Sequence, residues 1–66
     1  MNLTVNGELK GFTDVADIAA LVSSLGLDPR KVAVEKNLEI VPRSAYARTA
    51  LADGDRIEIV HFIGGG

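Results

Sequence analysis

Sixty-six residues set the size of one domain, and a chain this short buries only about 60% of the surface its unfolded form exposes. Apolar residues at 47% and charged residues at 24% fit a folded globular chain and argue against disorder. A net charge of -2 carries no electrostatic footprint for nucleic acid, and the absence of cysteine excludes disulfides, thiolate metal sites and chemistry on a protein thiol.

The opening Met1-Asn2-Leu3-Thr4-Val5 has neither a basic leader region nor a long apolar one, and no segment could span a bilayer, so a cytoplasmic location is expected. Leu3 and Val5 alternate with polar neighbours, the period-2 pattern of a half-buried strand. Asn6-Gly7 follows, a favoured pair for a type I′ turn, and Glu8-Leu9-Lys10-Gly11-Phe12 returns as the second strand of a hairpin. Gly11 marks either a bulge or a close backbone approach.

From Val15 the period changes. Val15, Ile18, Leu21 or Val22, and Leu25 share one helical face, which predicts a helix over residues 14–25. Asp14 or Thr13 caps its start, Asp17 falls in its first turn, Gly26 suits the left-handed position after its end, and Pro29 stops continuation. The basic pair Arg30-Lys31 beside Asp28 reads as solvated surface. Val32–Lys36 is strand-like with imperfect alternation, Asn37 offers a turn, and Glu39-Ile40-Val41 forms a short strand closed by Pro42. Ser44 is placed to cap one helical turn through Arg48, with the Tyr46 ring beneath it and the hydroxyl wet. Ala52-Asp53-Gly54-Asp55 is a turn, its two aspartates read as turn formers and solvated charges, and the last strand runs over 56–63.

One helical stripe must be buried against a mixed sheet, which is an α+β arrangement. A sheet of four to five strands curled around a single main helix satisfies it, the β-grasp or ubiquitin-like architecture, with residues 1–63 as one domain. Gly64, Gly65 and Gly66 then form a flexible tail. Two readings of the tail stand side by side: a frayed end or expression remnant, or a side-chain-free thread carrying a carboxylate into a narrow channel.

The strand order, the small size, Ala33-Val34-Glu35-Lys36-Asn37 followed by Ile40-Val41-Pro42-Arg43, the turn Asp53-Gly54-Asp55 and the glycine ending together resemble the ThiS family, the sulfur carriers of thiamin biosynthesis. The resemblance covers the whole chain. It implies a carrier rather than an enzyme. A ThiF-like adenylyltransferase would use ATP to activate the terminal carboxylate, and a sulfur donor such as a cysteine desulfurase would supply the sulfur. A ThiG-like thiazole synthase would take that sulfur into the thiazole ring. The family pattern ends in two glycines and this chain has three, so the reactive end is Gly66, or Gly65 if the tail is trimmed. Carriers of the same fold for molybdopterin synthesis or tRNA thiolation, and a β-grasp binding module without carrier chemistry, are the alternatives.

In the last strand Ile57, Ile59, His61 and Ile63 point one way and Arg56, Glu58, Val60 and Phe62 the other. With Ile57 and Ile59 against the helix, Val60 and Phe62 form an outward apolar patch beside the tail, a candidate docking site joined by Leu9 or Phe12. The competing reading is a bulged strand with Phe62 in the core. His61 has no partner for a catalytic set, a single histidine makes no metal site, and no phosphate-loop motif occurs, so no cofactor is expected on this chain.

Overall fold

The computed structural model describes residues 1–62; Ile63, assigned from the sequence to the last strand, and the predicted tail Gly64, Gly65 and Gly66 lie outside the described residues. The strands are β1 (Asn2–Val5), β2 (Glu8–Gly11), β3 (Val32–Lys36), β4 (Glu39–Val41) and β5 (Arg56–His61), and the helix α1 is Ile18–Ser24. They form one five-stranded sheet in the order β2-β1-β5-β3-β4. β1 and β5 run parallel at its centre and all other neighbours are antiparallel. This is the β-grasp fold.

Both hairpins turn on residues with positive φ. Asn6 (φ 51°) and Gly7 (φ 83°) join β1 to β2, as their type I′ chemistry predicts. Between β3 and β4 the same geometry falls on Asn37 (φ 50°) and Leu38 (φ 72°), where a leucine pays the steric cost that glycine avoids. Gly11 pairs in regular register with Asn2, and an added Cβ there would meet only Asn2 Oδ1 at an ordinary 3.5 Å, so it is neither a bulge nor a tight approach.

The helix is shorter than its apolar periodicity suggests, beginning at Ile18 and not at residue 14. Asp14 adopts φ 58°, and the backbone of the residues before Ile18 is claimed by another segment. Leu51 N–H donates to the Ala16 carbonyl (3.0 Å), and Ile18 N–H donates to the Thr49 carbonyl (3.1 Å). Asp17 is therefore the cap, replacing Asp14 or Thr13, and its Oδ1 accepts from Ala20 N–H at 2.8 Å. The other end follows the sequence. Gly26 (φ 73°) donates to Ser23 O and Leu27 to Val22 O, the paired bonds of a Schellman motif.

Ile18, Leu21 and Val22 of α1 press on Leu3, Val34, Ile57 and the other inward residues of the sheet. Each fully buried aliphatic side chain contributes about 1.5–3 kcal/mol of transfer free energy, which holds a helix too short to persist alone. Residues 43–48 form a 3₁₀ segment rather than one capped turn, and Ser44 caps nothing, since Pro42 occupies the N-cap without a side-chain bond. Tyr46 is buried, and its hydroxyl is not wet: it donates to the Val32 carbonyl at 3.2 Å. Burial raises the phenol's pKa above its usual value.

Asp55 is likewise no solvated charge. Its carboxylate accepts from Asn37 Nδ2 (3.0 Å) and Ala52 N–H (2.8 Å), and Lys36 Nζ lies 4.0 Å away. Partial burial works to raise its pKa, but these donors outweigh it and hold the carboxyl below the ordinary range. Asn37 also exchanges bonds with Arg56, accepting from its N–H (2.9 Å) and donating to its carbonyl (2.8 Å). The hairpin tip is thereby clamped to the start of β5.

Candidate functional site

β5 lies between β1 and β3 and delivers the chain to the sheet's end. Its register with β3 is regular from Lys36↔Ile57 to Val32↔His61, and Phe62 N–H extends the ladder by donating to the Lys31 carbonyl at 2.7 Å. There is no bulge. The alternation therefore holds: Ile57 and Ile59 are buried toward the helix, while Val60 and Phe62 stand outward, 62% and 50% exposed.

The register shows what surrounds them. Val60 lies directly opposite Ala33 of β3, whose side chain is also exposed. Ile40 of β4, 79% exposed, occupies the same face one strand further out, opposite Glu35. Val60, Phe62, Ala33 and Ile40 thus make one outward apolar surface, and Phe62, Ala33 and Ile40 also line a shallow groove of about 290 Å³. Ala33 and Ile40 were missed from the sequence, where their outward direction was legible only if the pairing of β3 with β5 was known.

Leu9 and Phe12, the other expected neighbours, do not join. Leu9 is exposed on this face but pairs with Thr4, which pairs with Arg56, so it lies across two strands and about 13 Å up the sheet from Val60. Phe12 is half-buried against the core.

The apolar surface is bounded by charge of opposite sign at its two ends. Glu35 faces Glu58 across the β3–β5 ladder on the side away from the chain's exit. At the exit stand Lys31, Arg30 and Arg43. Arg30 is committed to Asp28, donating to both of its carboxylate oxygens at 3.1 and 3.0 Å. That side-chain bond, with the backbone bond from Arg30, takes Asp28 down to about 2 and raises Arg30 in return. His61 is exposed at the end of the inward row. Among the described residues no three His, Cys, Asp or Glu side chains gather where they could hold a metal ion, and no helix is long and apolar enough to cross a membrane.

Comparison with known proteins bears on what this surface serves. The family model described as ThiS family matches residues 3–66, glycines included. The chain is 43% identical over 65 residues to a protein named sulfur carrier protein ThiS from Bacillus subtilis, covering 97% of this chain and 98% of that one. It is also 58% identical, over its whole length, to a protein named thiazole synthase from Paramagnetospirillum magneticum, of which it spans 20%. Among solved structures, the crystal structure of a thiamine biosynthesis protein (ThiS) from Geobacter metallireducens superposes with a TM-score of 0.84 at 38% identity, covering both chains completely.

Proposed function

Because the chain belongs to the ThiS family, we propose that it is a sulfur carrier of thiamin biosynthesis, acting as co-substrate and not as catalyst. The observation that carries this reading is the family match running through the glycines to residue 66. The reactive group is the α-carboxylate of Gly66, or of Gly65 after trimming. An α-carboxyl with an ordinary pKa of about 3.3–3.7 is ionised at neutral pH and can attack the α-phosphate of ATP held by an adenylating enzyme. Pyrophosphate leaves, and the acyl adenylate replaces a poor leaving group with a good one. Sulfide delivered by a sulfur donor then attacks the acyl carbon, its new C–S bond replacing the C–O bond to AMP, and leaves a thiocarboxylate.

Sulfur passes from there to a thiazole synthase. That partner is supported by the Paramagnetospirillum relative, in which a unit similar to this chain makes up a fifth of a protein bearing the name thiazole synthase. The outward surface of Val60, Phe62, Ala33 and Ile40 meets both partner enzymes in turn, since it adjoins the point where β5 leaves the sheet. The body remains outside while the glycines enter, because four extended residues beyond Phe62 reach at most about 14 Å. The work takes place in the cytoplasm, where ATP is available.

Intact mass tests the reading. Incubation with ATP, the adenylating enzyme and a sulfide source should replace one C-terminal oxygen by sulfur, a gain of about 16 Da. An unchanged mass, together with normal thiamin synthesis in cells carrying a chain that lacks Gly64–Gly66, would reject it.

A further inference from the structure

Resting on the carrier reading, we infer that Lys31 and Arg43 form a cationic rim where β5 leaves the sheet, and that this rim docks on an acidic surface at the mouth of the adenylating enzyme's channel. The chain as a whole is acidic, at -2, yet its charge is divided along the strands. Asp53, Asp55, Glu58, Glu35 and Glu39 lie toward the start of β5 and the tip of the β3–β4 hairpin, where Lys36 stands 4.0 Å from Asp55. At the opposite end Lys31 offers its carbonyl to Phe62, and Arg43 lines the same groove as Phe62. Arg30 is neutralised by Asp28, while Lys31 and Arg43, like Lys10, Arg48 and Arg56, have no carboxylate within salt-bridge distance among the described residues; what sets Lys31 and Arg43 apart is their place beside Phe62. Both are exposed.

Two uncompensated cations beside an apolar surface on an acidic protein leave local charge to be matched by a partner. The alternative anion is the triphosphate of ATP. Reach argues against it: the rim lies at the root of a four-residue segment, so its cations meet the rim of a channel while the terminal carboxylate meets the nucleotide at the far end. Exposed charges arranged in this way act on encounter more than on the bound complex, and their effect is screened by salt.

Stopped-flow association with the adenylating enzyme tests the inference on the full chain. The double reversal K31E/R43E should slow association at least about tenfold at low ionic strength and less than about twofold in half-molar salt. The neutral pair K31Q/R43Q should fall between, and guards against a reversal that fails to fold. R48E/R56E changes net charge equally at positions away from the rim and should leave association within about twofold. Equal slowing by R48E/R56E would overturn the inference, as would a wild-type rate indifferent to salt or a raised KM for ATP with unchanged association. In each of those cases wild-type thiocarboxylate formation still reports separately on the carrier reading.

Discussion

Replacing Phe62 by alanine probes the proposed docking surface with the least disturbance to the fold. Phe62 is 50% exposed, and its backbone bond to Lys31 does not depend on the side chain. A phenylalanine presents roughly 200 Å² of surface, so about 100 Å² is open to a partner. At about 25 cal/mol per Å² that area is worth about 2.5 kcal/mol once buried. The expected loss is therefore about 70-fold in Kd. Titration calorimetry of the variant against the adenylating enzyme, and separately against the thiazole synthase, reads it directly. Circular dichroism confirms that the β-grasp is intact. If the folded variant binds both enzymes within about twofold of the original, the outward face of β5 is not the docking surface, and the regular alternation of the strand has no functional consequence.

Three further outcomes follow from the turns, the cap and the partly buried carboxylate of Asp55. Leu38→Gly should stabilise the domain by about 0.5–1 kcal/mol, because glycine accepts φ 72° freely and the leucine is 85% exposed; a melting temperature at or below the original would contradict the strain argument. Asp17→Ala should cost about 1 kcal/mol in urea unfolding by leaving Ala20 N–H without its acceptor, whereas Ser44→Ala should stay within about 0.5 kcal/mol; the reverse order would restore Ser44 as a cap. Asp55, with its pKa lowered in the fold, binds fewer protons there than when unfolded, so its contribution is complete above about pH 4 and is lost as pH falls through the depressed value. Acid unfolding of Asp55→Asn should accordingly show a shallower loss of stability below pH 4, and an unchanged profile would mean the clamp with Asn37 does not couple to folding.

Signals confined to a few neighbouring residues were sufficient for much of this architecture. Asn6-Gly7, Gly26 before Leu27, and the apolar rows Leu3/Val5 and Ile57/Ile59 each state a backbone geometry or a buried face within a short stretch, and the structure adopts them. The candidate site was legible to the same depth. Val60 and Phe62 face outward because β5 alternates, whereas Ala33 joins them only through the pairing of β5 with β3, more than fifteen residues earlier, and Ile40 only through the further pairing of β4 with β3.

What the sequence by itself determined was the order and kind of the elements, the turns between them and the stripe each would bury, since these follow from side-chain periodicity and local φ preference. Tertiary structure decided where α1 begins, because Thr49 takes the Ile18 N–H and Leu51 the Ala16 carbonyl, groups that a longer helix would pair within itself. It also directed the Tyr46 hydroxyl to Val32 and made Asp55 the centre of a clamp. The Tyr46–Val32 and Asn37–Asp55 bonds join groups fourteen and eighteen residues apart, and they form only where the folded core brings those groups within about 3 Å, which no local pattern encodes; the Ala52–Asp55 bond, three residues apart, belongs to the turn itself.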